Sequence, residues 1–131
     1  MTHDVTNEEF EKLIANAMDE LPQKYIAGLN NVLITYEDLP TEEQRRRQKL
    51  QVWQTLFGLY EGVPRTRRGN NYTMVLPDRI TIFRLPMLNA SADMQELKEN
   101  IKRTLWHEIA HYYGLGHDRI HELENHSSHD H

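Results

Sequence analysis

The run from Asp93 to about Tyr113 constrains this chain more than any other, because its spacing demands a long helix enclosed on much of its surface. Asp93 and Glu96 form a capping pair, and Met94, Leu97, Ile101 and Leu105 then recur at helical spacing. Trp106, Ile109, Tyr112 and Tyr113 widen the stripe toward the C-terminal end, which predicts that this half is covered on most sides. Gly114 and Gly116 stop the helix, and Gly114 can take the positive φ that turns a chain sharply away. With 131 residues, the chain has room for one core around such a helix and not for two.

The same run carries His107-Glu108-Ile109-Ala110-His111, an H-E-x-x-H pattern. At about 100° per residue the two histidines stand about 40° apart and one turn along the axis, so both imidazoles can meet one metal ion. Glu108 lies about 60° beyond His111, outside the first coordination shell but within reach of a metal-bound water. Gly114 and His117 extend the pattern to H-E-x-x-H-x-x-G-x-x-H, which chance supplies in roughly one chain in ten thousand of this composition. A turn at Gly114 would bring His117 back as a third ligand, with Asp118 as the alternative ligand or a partner to one. Three protein ligands leave a fourth tetrahedral position for water, which is the pattern of a catalytic zinc site. Glu108 would then be the general base of a zinc-dependent hydrolysis, most simply of a peptide bond.

The remaining elements predict an α+β domain. Thr6 and Glu9 cap a helix to Leu21 with Phe10, Leu13, Ile14 and Ala17 on one face, ended by Pro22. Asn31 to Tyr36 reads as a short buried strand, Glu42 to Phe57 as a helix, Gly62 to Asn71 as a loop and Tyr72 to Leu76 as a strand. Arg79 to Leu85 alternates like a strand, either an ordinary core strand or the sheet edge that would hold an extended peptide. The domain is expected to span 1–120, followed by a flexible tail over 121–131 containing His121, His126, His129 and His131.

The net charge of −5 conceals three blocks: −8 over residues 1–44, +7 over 45–84 and −4 over 85–131. The overall balance argues against a nucleic-acid partner, while the middle block, with Arg45, Arg46, Arg47, Lys49, Arg65, Arg67 and Arg68, is either a solvated face or a surface for an acidic partner. There is no cysteine, which excludes disulfide scaffolds, thiolate zinc sites and cysteine nucleophiles. No apolar run reaches the ~18 residues of a membrane span, and Met1 to Phe10 lacks a signal-peptide core, so a cytoplasmic protein without a membrane partner is expected. Tyr72, Tyr112 and Tyr113 are secondary candidates for holding an oxyanion, although packing is the ordinary role of each.

Gly58 to Pro64 (GLYEGVP), Thr66 to Arg68, Val75 to Phe83 (VLPDRITIF) and His107 to Asp118 (HEIAHYYGLGHD) together resemble the small bacterial zincin-like metallopeptidase family, long catalogued as a domain of unknown function. The resemblance covers most of Val5 to Asp118. It implies a minimal zincin fold, with a short mixed sheet packed on the active-site helix and a second helix behind. It further implies one zinc ion per chain at His107, His111 and the 117–118 position, Glu108 as base, and an unidentified peptide or protein substrate. Residues 41–57 depart from the family's usual connection, and no Met follows His117, so the Met-turn of true metzincins is missing. A weakly active or inactive zinc-binding module with a binding or regulatory role is the alternative consistent with that departure.

Overall fold

The computed structural model describes residues 5–62 and 76–114. The elements run α1 (Asn7–Glu20), α2 (Gln23–Ala27), β1 (Val32–Glu37), α3 (Glu42–Arg47), β2 (Gly58–Glu61), β3 (Asp78–Phe83), α4 (Arg84–Ala90) and α5 (Met94–Tyr112). The three strands form one mixed sheet in the order β1-β3-β2. β1 runs parallel to β3 with Val32 opposite Asp78, and β2 runs antiparallel to it with Gly58 opposite Ile82.

The two long helices form where local signals agree. Thr6 caps α1 by accepting the Glu9 N–H at 3.1 Å, and Phe10, Ile14 and Ala17 are buried along one face. Asp93 caps α5 by accepting the Glu96 N–H at 2.8 Å, and Leu97, Ile101, Leu105 and Ile109 form its buried stripe. Those stripes meet Ile80 and Ile82 of β3 in one core, with Met87 and Leu88 of α4 closing it. Met94 is exposed, so the apolar face of α5 begins at Leu97.

The sheet corrects two expectations. β3 ends at Phe83 and is the central strand, paired on both sides, so it cannot be the free edge proposed for a peptide. β1 is half-buried rather than buried, because it lies at the edge with Leu33 in solvent. The burial of Ile80, Thr81, Ile82 and Phe83 reflects the central position of β3.

The helix expected over Glu42–Phe57 stops at Arg47. Lys49 takes φ +55°, and the Lys49 and Leu50 amides donate back to Arg46 and Arg45. This is a Schellman ending with lysine in the left-handed position that glycine usually fills. Trp53 and Phe57 are therefore exposed instead of forming a buried helical face. Two short helices, α2 and α4, lack the periodicity that would announce them. In α4, Pro86 falls in the first turn, where a missing N–H costs nothing.

The expected loop after Gly62, the strand ending at Leu76 and the tail over 121–131 lie almost wholly outside the described residues. No described helix is long and apolar enough to cross a membrane.

Candidate metal centre

The rotation of α5 is set by its buried stripe. At about 100° per residue, Glu108 projects within the sector defined by Leu97, Ile101, Leu105 and Ile109, whereas His111 and His107 fall successively on its flank. Glu108 is accordingly only 9% exposed, whereas the two histidines reverse the order that helix rotation alone gives: His107, farther round the flank, is half-buried and His111, nearer the helix end, is exposed. The imidazole rings of His107 and His111 are edge-to-face with centroids 4.7 Å apart. One donor atom from each of His107, Glu108 and His111 lies within 4.8 Å of the other two.

Glu108 turns away from solvent toward the sheet. Its Oε1 accepts the backbone N–H of Tyr60 on β2 at 2.9 Å. The Tyr60 hydroxyl donates to Asp78 Oδ2 at 2.9 Å, and its ring meets Tyr112 edge-on at 5.9 Å. One residue thus joins β2, β3 and α5 beside the candidate site. Close approach of β2 to α5 depends on Gly58, where an added Cβ would lie 2.6 Å from Thr104 Cγ2 and 3.3 Å from the Thr81 carbonyl oxygen. Thr104 is one helical turn before Glu108, and Gly58 is two residues before Tyr60, so the two contacts share one seam.

Burial pushes the Glu108 carboxyl up to about 7 from 4.5, against the opposing pull of the Tyr60 N–H. No cationic side chain among the described residues pairs with it. A buried carboxylate beside two imidazoles is a donor set that suits a divalent metal ion, whose charge would offset that burial.

The structure brings His107, Glu108 and His111 together. Gly114 leaves the helix at φ +75°, the conformation expected of it, while His117 and Asp118 lie outside the described residues, as do Arg65, Arg67, Arg68 and Tyr72. The two remaining tyrosines are engaged elsewhere. Tyr112 OH accepts the Asn30 N–H at 3.1 Å, and Tyr113 OH donates to the Tyr25 carbonyl at 2.7 Å. Trp106 is core and meets Tyr25 edge-on at 5.3 Å. The sequence reading missed Tyr60 and Gly58 as parts of the site. The only signal was the GLYEG string itself, and nothing local in it indicates an amide aimed at a carboxylate 48 residues away.

Among solved structures, the chain resembles a conserved hypothetical protein from T. thermophilus with a TM-score of 0.55 and 18% identity, over 83% of this chain and 94% of that one. At that identity the likeness speaks for the fold alone. No curated protein matches the chain. A family model described as zincin-like metallopeptidase matches residues 29–127, which takes in the sheet, α5 and the whole histidine pattern. On that match the chain belongs to the zincin-like metallopeptidase family.

Proposed function

We propose that the chain is a zinc-dependent peptidase holding one metal ion through His107 and His111, with His117 as third ligand, Asp118 as its alternative and Glu108 as general base. The observation that carries this reading is a buried carboxylate anchored to the sheet and set within 4.8 Å of two solvent-reaching imidazole donors. Bound there, zinc supplies a Lewis acid that lowers the pKa of water toward ~7 and polarises a carbonyl.

Glu108 does the proton work. Its Oε1 is held by Tyr60, so Oε2 is the atom left to take a proton from the attacking water and pass it to the leaving amine. The Tyr60 N–H fixes the carboxylate in one orientation, which removes a rotation that would otherwise have to be frozen during the reaction.

The substrate edge is reassigned from β3 to β2. The Phe83 N–H donates to the Phe57 carbonyl, and antiparallel alternation then turns the backbone groups of Gly58 and Tyr60 away from β3. An extended peptide pairing beside Gly58 would pass directly in front of Glu108.

Metal analysis by mass spectrometry tests the site, and peptide-library cleavage tests the reaction. We expect one zinc per full-length chain, lost in His107→Ala/His111→Ala, and cleavage abolished in Glu108→Gln with zinc retained. Zinc unchanged in the double variant would refute the ligand assignment. One zinc without cleavage of a broad library would refute the peptidase and leave a metal-binding module.

A further inference from the structure

The segment after α3 is a built turn that presents apolar side chains to solvent. The Gln54 N–H donates to the Gln51 carbonyl at 3.0 Å, and Gln54 Oε1 accepts the Gln51 N–H at 2.8 Å. The Arg45 guanidinium donates to the Gln51 and Val52 carbonyls at 2.8 and 3.4 Å. These bonds close the turn and put Val52 and Trp53 at its two central positions, 94% and 80% exposed. Beside the tip lies an open hollow of about 700 Å³ lined by Glu42, Arg45, Arg46, Lys49, Leu50 and Val52. Arg47 is paired with Glu43, whereas Arg46 and Lys49 have no ion pair among the described residues.

We propose that this tip docks the protein peripherally on an anionic phospholipid surface. Val52 and Trp53 enter the headgroup boundary, while Arg46 and Lys49 meet lipid phosphates at the hollow. The shape favours a bilayer over a peptide. Two adjacent apolar side chains at the apex of a tight turn make a wedge, and a deformable interface receives a wedge without needing a matching pocket. Tryptophan favours the membrane–water boundary, and basic side chains near it are attracted by anionic headgroups. Such docking needs no spanning helix, so the missing apolar run does not bear on it. Gln44 Nε2 of α3 donates to Glu61 of β2 at 3.0 Å, so the tip is tied to the sheet and would carry the domain with it.

The chain contains two tryptophans, and Trp106 is only 4% exposed, so a change in emission on docking reports Trp53. The full-length protein is mixed at low salt and about pH 8 with vesicles of phosphatidylcholine alone or with phosphatidylserine. We expect a blue shift and co-sedimentation only with phosphatidylserine. Co-sedimentation is lost in Val52→Ser/Trp53→Ser and weakened about 25-fold in Arg46→Gln/Lys49→Gln. No association with either vesicle overturns the proposal. So does equal binding to phosphatidylcholine alone, or binding retained without Val52 and Trp53. A blue shift with soluble polyglutamate but not with vesicles overturns it too, in favour of an acidic protein partner.

Discussion

Replacing Glu108 by glutamine should stabilise the metal-free protein, and by an amount that depends on pH. Glutamine keeps an oxygen to accept the Tyr60 N–H and never carries charge. Burial raises the Glu108 carboxyl from 4.5 to about 7, so the folded chain holds that proton more tightly than the unfolded one. The stability contributed by neutral Glu108 is complete below pH 4.5 and is lost as pH rises through about 7. The gap between those values corresponds to about 3 kcal/mol above pH 7. For a chain of 131 residues that is about 10 °C in Tm. Thermal unfolding of both proteins in chelator tests this: Glu108→Gln should unfold about 10 °C higher near pH 8 and at nearly the same temperature near pH 4.5. Comparing the two at each pH cancels the titrations that are independent of residue 108. A Tm difference that is the same at both pH values would refute the claim that Glu108 is a desolvated carboxylate. Excess zinc should narrow the gap near pH 8, because a cation beside the carboxylate favours its charged form.

Three further outcomes are expected. Gly58→Ala should cost about 1–3 kcal/mol in thermal or urea unfolding by forcing β2 off α5, and adding Thr104→Ala should recover much of that, since Thr104 Cγ2 is the nearest obstacle. Full additivity of the two changes would show that the seam is not where the strain falls. Lys49→Gly should stabilise by about 1 kcal/mol, because Lys49 sits at φ +55°; if the helix instead continued to Phe57, the same change would destabilise. Zinc at a hundredfold excess over its Kd should raise the stability of the wild-type chain by about 2.7 kcal/mol, measured as a Tm increase that is absent from His107→Ala/His111→Ala.

What could be read in the chain before it folds, and what could not, divides by the range of the interaction. The helices α1 and α5 were legible because their caps and apolar stripes are encoded within one or two turns. The placement of His107 and His111 on one face was legible for the same reason, since four residues of helix fix it. The end of α3 was not legible: Glu42 to Phe57 has good helix formers, and nothing in Lys49 itself announces a left-handed residue.

The sequence alone determined a histidine-bearing helix, its cap and its glycine exit, because hydrogen bonding and side-chain period act locally. Tertiary structure alone decided that β3 is central, that β2 is the outer strand beside α5 among the described strands, and that the Tyr60 amide holds the carboxylate of Glu108. Those outcomes depend on which strand meets which helix, and on the burial that follows. Residues 48 positions apart become neighbours only when the core formed by Ile80, Ile82, Leu105 and Ile109 closes around them.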